Sequence, residues 1–304
     1  MDILIAGASG LIGTALVNHL SKNHNITVLG RSLDKLEHIF SNDINKLIWK
    51  NLNNHDATQY DLVVNLSGSN IGAKRWNPTV KKELVESRTL TNQQLIAWLI
   101  NHHAKPRFYC ANAIGIYGAQ KYSLESFDEE TLLPSSSDNF LQHIGLLWEQ
   151  SLGTAVEAGI PVTTLRFGVV LKQGAGMLKK LELPFRLGLG SVVGNGEQML
   201  SWIHYTDLVN AIDFLIEHPD VTGAVNMTAP YPIAQKEFAK ALARVLKRPL
   251  LIRMPDWLIQ ALFGEMGEYL LLRGQKVIPK RLTELKFKFT YPTVDMALDE
   301  EYKI

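Results

Sequence analysis

Residues Met1 to Gly13 read MDILIAGASGLIG, and the rest of the chain is organised around them. Ile3, Leu4 and Ile5 form a continuous apolar run, which suits a strand buried on both faces of a parallel sheet. From Leu11 onward (LIGTALVNHL) the apolar period becomes that of a helix. Between the two, Gly7, Gly10 and Gly13 stand at GxxGxxG spacing. Gly7 permits a tight strand-to-helix turn, Gly10 lets backbone amides approach a pyrophosphate, and Gly13 lets the helix pack closely on the strand. The helix N-terminus adds its dipole and its free N–H groups. Directly after a strand and opening a helix, the three glycines predict a dinucleotide-binding turn.

Strand and helix signals alternate outward from this turn. ITVLGRS (Ile26 to Ser32) reads as the second strand and its exit, and KLIWK (Lys46 to Lys50) as a short third. The second exit carries Gly30 and Arg31 and no carboxylate before Asp34. A carboxylate there would take a ribose 2′-hydroxyl, whereas arginine offers a charge-assisted fork to a 2′-phosphate. NADP(H) is therefore expected over NAD(H). DLVVNLSGSNIG (Asp61 to Gly72) gives another strand, whose exit at Leu66, Ser67 and Gly68 would line the adenosine side of the cofactor. A helix is predicted from Pro78 to Ile100, a strand and loop from Arg107 to Gly118, a helix from Asn139 to Ala158, and a buried strand from Pro161 to Leu171. The alternation predicts an α/β fold, a Rossmann-like doubly wound parallel sheet with helices on both faces.

After Lys172 glycines become frequent up to Gly196, around a possible helix at Met177 to Leu187, the texture of a binding loop or lid. Ser201 to His218 gives a strand and a helix with Asp207 in its first turn, GAVNM a strand, and Ala234 to Leu246 a helix. KFKFTYP (Lys286 to Pro292) carries a last strand signal, before a helix at Val294 to Glu301. The expected division is an NADP(H)-binding domain at 1–171 with late sheet elements from 201–230. Residues 172–200 and 231–304 would form substrate-side loops and a smaller C-terminal lobe.

Composition narrows the functional classes. The formal net charge of +1 gives no bulk attraction to nucleic acid or an anionic membrane. The single cysteine, Cys110, excludes an intrachain disulfide or a cysteine-based metal site, and no metal site is expected. The first strand begins at residue 2, leaving no room for a signal peptide, and no apolar run nears a membrane span of ~20 residues. The cytoplasm is the expected compartment. The expected partner is a small-molecule substrate, with a homodimer as a further possibility.

GASGLIG, NLSGSNIGAKRW, RFGVVL, PFRLGLG, SWIHYTDL, NMTAP and GQKVIPKRL, in this order, together resemble the extended short-chain dehydrogenase/reductases. Within them the chain looks like the NADP(H)-binding "epimerase family" branch, which carries a C-terminal domain of unknown function. The resemblance covers essentially the whole chain. It implies cofactor contacts at the glycine turn, with Ser9, Leu11 and Ile12 beside its three glycines, and at Gly30, Arg31, Leu66, Ser67, Glu83, Arg88 and Val170. Arg88 would reach cofactor phosphate and Glu83 a ribose or amide group; as ordinary helix residues they would form surface ion pairs.

Extended members use a Ser or Thr after the fifth strand and Tyr-x-x-x-Lys on the next helix, with Tyr as acid/base and Lys lowering its pKa. Here Asn112 stands at the Ser position, and Gly145 and Glu149 at the Tyr and Lys positions. Asn can still polarise a carbonyl, but Gly has no proton to give and Glu reverses the charge. Tyr117-Gly-Ala-Gln-Lys121 repeats the Tyr-x-x-x-Lys string in a glycine-bearing loop, where the family carries a structural Tyr. The catalytic candidates are thus Asn112, Tyr117 and His204, the last as a titrating group or a hydrogen-bonded structural one. His143, Asp207 and Tyr205 stand behind them, and Arg75, Trp76 and Arg186 offer a clamp for an anionic or planar substrate. The resulting expectation is an oxidoreductase or epimerase-like enzyme without the usual triad. The rival is a catalytically silent NADPH sensor.

Overall fold

A computed structural model describes residues 1–121 and 125–303; residues 122–124 and 304 lie outside the described residues. β1 (Asp2–Ala6), α1 (Leu11–Leu20), β2 (Asn25–Gly30), α2 (Leu33–Ile39), β3 (Asn45–Ile48), β4 (Leu62–Asn65), α3 (Pro78–Asn101) and β5 (Arg107–Ala113) follow in order. Next come β6 (Ser126–Phe127), α4 (Phe140–Gln150), α5 (Gly153–Glu157), β7 (Val162–Phe167) and β8 (Val169–Leu171). α6 (Gly176–Arg186), β9 (Ser191–Val193), β10 (Met199–Leu200), β11 (Trp202–His204), α7 (Tyr205–Ile216) and β12 (Gly223–Met227) come after them. The last group is β13 (Ile233–Ala234), α8 (Gln235–Val245), β14 (Ile252–Met254), α9 (Asp256–Phe263), α10 (Glu265–Leu271), β15 (Lys276–Val277), α11 (Lys280–Glu284) and α12 (Val294–Glu301).

Seven strands pair in the order β12-β7-β5-β4-β1-β2-β3, every pairing parallel. The chain builds outward one way through β2 and β3 and the other way through β5, β7 and β12. The order therefore reverses between β1 and β4, and their C-terminal ends open a crevice. The apolar run of β1 explains how the sheet is covered. Ile3 and Ile5 pack with Leu16 of α1 and Ile212 of α7; Leu4 and Ala6 pack with Leu95 and Leu99 of α3 and Trp148 of α4. Both faces are buried, each large side chain contributing about 1.5–3 kcal/mol.

A third cluster joins Leu171, Leu178, Phe185 and Trp202 to Phe238 and Leu242 of α8 and Leu298 of α12. None of the described helices is long and apolar enough to cross a membrane.

Four expectations are corrected. Pro161–Leu171 is two strands: at Gly168 a Cβ would lie 2.9 Å from Ser201 O, and beyond this close approach β8 leaves the main sheet to pair with β11. Asn139–Ala158 is two helices, Asn139 capping the first by accepting from Gln142 N–H. The break falls at Ser151, whose Oγ donates to Trp148 O at 2.6 Å and accepts from Asn92 Nδ2 at 2.8 Å. The third strand ends at Ile48, and Trp49 opens a 3₁₀ turn. Lys286–Pro292 is not a strand, because the Thr290 and Tyr291 N–H groups donate to the two carboxylate oxygens of buried Asp207, each at 2.8 Å. Asp207 is thus an anchor for that segment as well as a first-turn helix charge.

Candidate functional site

The glycine turn is built as a cradle. Gly7 has φ +75°, and a Cβ there would lie 2.6 Å from Leu66 C. At Gly13 a Cβ would lie 2.6 Å from Ala8 Cα and from Gly7 O, so α1 sits directly against the turn. Gly10 differs. Its Cβ would meet only Gly7 O, at 3.4 Å, and otherwise open space. That open side faces a cleft of about 410 Å³ bordered by Gly7, Ser9, Gly30, Arg31 and the Leu66–Ser69 backbone. A neighbouring cleft of about 640 Å³ runs on over α3 past Glu83, Ser87 and Thr91, with Arg31 and Trp49 in the walls of both. Of the residues predicted for a cofactor, Gly7, Ser9, Gly10, Gly30, Arg31, Leu66, Ser67 and Gly68 line the first cleft and Glu83 the second, whereas Leu11, Ile12, Gly13, Arg88 and Val170 line neither. Leu11 and Ile12 are the first residues of α1, and Val170 lies at the centre of β8.

Arg88 is buried at 8% exposure with no carboxylate partner among the described residues. Nη1 donates to Leu84 O at 2.8 Å and Nη2 to Ser69 O at 2.9 Å, and the guanidinium lies 4.8 Å from the centre of the Trp148 ring. Burial pulls its pKa down to about 10. It lies directly against Gly68, where a Cβ would come within 3.3 Å of Cζ. A buried cation without a counter-charge is costly, and an anion at the cleft wall would relieve the cost. Glu83 is half exposed and 3.5 Å from Lys74.

Asn112, Gly145 and Glu149, where the resemblance implies a catalytic triad, are tied into a hydrogen-bonded network. A Cβ on Gly145 would lie 2.8 Å from Ile116 Cβ, so the turn after β5 occupies the room a tyrosine would need. Asn112 Nδ2 donates to Gly145 O at 3.1 Å and to Glu149 Oε2 at 3.2 Å, while its Oδ1 accepts from Ala113 N–H. Glu149 pairs with Arg166 of β7, Oε1 to Nη2 2.7 Å. Arg166 Nη1 donates to the Tyr117 hydroxyl at 2.7 Å, which in turn donates to Asn226 Oδ1 at 2.9 Å. Burial raises the Tyr117 pKa, with Arg166 pulling the other way. Asn112 and Tyr117 are thereby joined through Glu149 and Arg166.

His204 stands apart from them. It is 1% exposed, its Nε2 is 2.9 Å from Glu301 Oε1 of α12, and its Nδ1 accepts from Thr206 N–H at 3.3 Å. Glu301 also accepts from Lys172 Nζ at 3.3 Å and from Gln173 N–H. Lys172 lies 4.1 Å from the centre of the Tyr205 ring. His143 is exposed on α4, 3.3 Å from Ser137 Oγ. Trp76 is buried edge-on to Phe140, Arg186 pairs with Glu182, and Arg75 lies against Gly264, so these three form no single clamp. Sequence reasoning passed over Trp49 and Arg166. The first was hidden by taking the strand to Lys50, and the second sat inside a run read only for its apolar residues.

A doubly wound sheet with a glycine cradle at its switch point defines a dinucleotide-binding α/β protein. Residues 3–227 match the model of the NAD dependent epimerase/dehydratase family, and residues 254–301 match a domain of unknown function, DUF1731. The chain belongs to the NAD dependent epimerase/dehydratase family. It is 37% identical over 311 residues to the chloroplastic epimerase family protein SDR39U1 homolog of Arabidopsis thaliana, covering 98% of this chain and 86% of that one. Against epimerase family protein SDR39U1 of Homo sapiens it is 33% identical over 303 residues, covering 99% of each. The crystal structure of human SDR39U1 (isoform 2) with NADPH superposes with a TM-score of 0.87 at 30% identity, covering 100% of both chains. A UDP-galactose 4-epimerase structure shares the fold at a TM-score of 0.74 and 14% identity.

Proposed function

We propose that this chain binds NADP(H) and acts as an oxidoreductase or epimerase-like enzyme on a small carbonyl or sugar-type substrate, with its proton donor outside the usual Ser/Tyr/Lys set. The observation carrying the binding half is the cleft at the β1/β4 crevice, open at Gly10 and bordered by Arg31. The NADPH in the human relative's structure supports the same choice. When bound, the cofactor supplies hydride exchange. The amides around Gly7–Gly13 and the α1 N-terminus would hold its pyrophosphate. Arg31 would hold a 2′-phosphate, and Arg88 and Glu83 would add contacts from α3.

Asn112, Tyr117 and His204 already spend their hydrogen bonds within the protein. That observation favours a second reading, a cofactor-binding sensor or regulator without turnover.

Calorimetric titration with NADPH and, separately, NADH tests the binding. NADPH is expected to bind about 10–150-fold more tightly, the value of one charge-assisted contact of ~1.5–3 kcal/mol, and Arg31→Ala should abolish the difference. Equal affinities in the unaltered protein would remove Arg31 from the site, and binding of neither would end the proposal. NADPH oxidation across a panel of small carbonyl compounds then separates enzyme from sensor.

A further inference from the structure

We propose that Ser151, at the break between α4 and α5, is a positioning residue for the dinucleotide cleft and acts on it through Asn92 and Asn65; this rests on the cleft being the NADP(H) site. A chain of hydrogen bonds makes the route. The Ser67 N–H donates to Asn65 Oδ1 at 3.0 Å, and Asn65 Nδ2 donates to Asn92 Oδ1 at 2.7 Å. Asn92 Nδ2 then donates at 2.8 Å to Ser151 Oγ, whose hydroxyl donates to Trp148 O at 2.6 Å. Ser67 lines the first cleft, whereas Asn65, Asn92 and Ser151 line neither.

The two ends of the chain fix its sense. A backbone N–H only donates and a carbonyl only accepts, so the amides and hydroxyl between Ser67 and Trp148 have one arrangement that satisfies every link. The neighbours agree with it. Thr91, which lines both clefts, donates from Oγ1 to Arg88 O at 2.9 Å and accepts from Asn65 Nδ2 at 3.3 Å. Cys110 Sγ lies 3.2 Å from Asn92 Oδ1 and 3.2 Å from Ala111 O. Asn65, Asn92 and Cys110 are 0% exposed, so a turned amide would set donor against donor with no bulk water to relieve it. Removing the Ser151 hydroxyl takes away the acceptor that holds Asn92 Nδ2, and frees both amides to turn. The wall of the cleft at Ser67 and Thr91 then loses the amide that orients it.

The single cysteine makes this relay readable. The infrared S–H stretching band of Cys110 reports what Asn92 presents to the thiol, and no other residue of the chain contributes to it. In ligand-free Ser151→Ala the band should shift, and NADPH affinity by calorimetry should fall by about fivefold or more. Ser151→Thr keeps the hydroxyl, so the band should hold and affinity should stay within about twofold of the unaltered protein. Added to Asn92→Ala, Ser151→Ala should cost no further affinity, because the route is already cut. Coupling is reciprocal, so saturating the unaltered protein with NADPH should itself move the band, a reading that needs no variant. Thermal melts verify folding. An unmoved band or unchanged affinity in a folded Ser151→Ala would overturn the proposal, as would a band indifferent to NADPH or full additivity with Asn92→Ala. Equal losses in Ser151→Thr and Ser151→Ala would assign the effect to shape and overturn it too. If the unaltered protein binds no NADPH, the cofactor reading fails first, and this proposal with it.

Discussion

The Arg166 guanidinium and the Glu149 carboxylate meet at 2.7 Å in the space where the family resemblance places a catalytic lysine. Arg166 has a side chain only 4% exposed and that of Glu149 is 28% exposed, so the pair is largely shielded from water. Breaking one member of a buried pair leaves its partner uncompensated. Glu149→Gln should therefore cost about 3 kcal/mol in urea unfolding while NADPH affinity stays within about threefold. A loss of NADPH binding in a fully stable variant would instead put Glu149 in the cofactor site.

Gly10 and Gly13 should fail in different ways when changed to alanine. In Gly13→Ala the new Cβ meets backbone at 2.6 Å and nothing flexible can yield, so stability should fall by about 1–3 kcal/mol. In Gly10→Ala the Cβ enters the open side of the cleft, so the melting temperature should hold while NADPH affinity drops at least tenfold. Thermal melts with and without NADPH check both at once.

Arg88 should behave oppositely to a structural ion-pair residue. Its charge is buried without a carboxylate, and Arg88→Met removes that charge while filling similar space. The ligand-free variant should melt at or above the temperature of the unaltered protein. The rise in melting temperature on adding NADPH should shrink, reflecting an affinity loss of about tenfold or more. A large loss of ligand-free stability would refute this account.

Glu301 gives the pH dependence. Burial works against its charge, but hydrogen bonds from His204 and the Gln173 N–H, with the Lys172 charge, outweigh burial and hold its pKa below the ordinary 4.5. A carboxylate depressed on folding stabilises fully above its unfolded pKa, and loses that contribution as pH falls through the folded value. Glu301→Gln should therefore be less stable than the unaltered protein at pH 7. The gap should close progressively below about pH 4.5 in acid-unfolding curves. A gap independent of pH would assign the effect to packing alone.

Cys110 lies on the sheet face under α3, and burial pushes its pKa up to about 12. A disulfide reagent at pH 8 should leave it untouched in the native protein and modify it fully in denaturant.

The glycine turn, the strand succession and the exits at Arg31 and Leu66–Gly68 were legible because each is a local pattern of a few residues. Losses came where distant groups decide the outcome. KFKFTYP has strand composition, yet Asp207, more than eighty residues earlier in the chain, takes its N–H groups. Trp49 was hidden because KLIWK looks the same whether the strand ends at Ile48 or two residues later at Lys50. Asn112 drew notice because the resemblance implies a Ser or Thr at that strand exit. Its saturation by Gly145 O, Glu149 and Ala113 N–H was not, because that depends on how α4 lies on the turn after β5.

The contact between His204 and Glu301 spans 97 positions in the chain. During synthesis Lys172 and His204 leave the ribosome long before the carboxylate that will neutralise their site. Without α12 the third apolar cluster would lack Leu298 and the polar seam would lack its carboxylate. α12 supplies both Leu298 of that cluster and Glu301 of that seam, so one helix completes both. A chain stalled before it would expose this seam to chaperones and proteases.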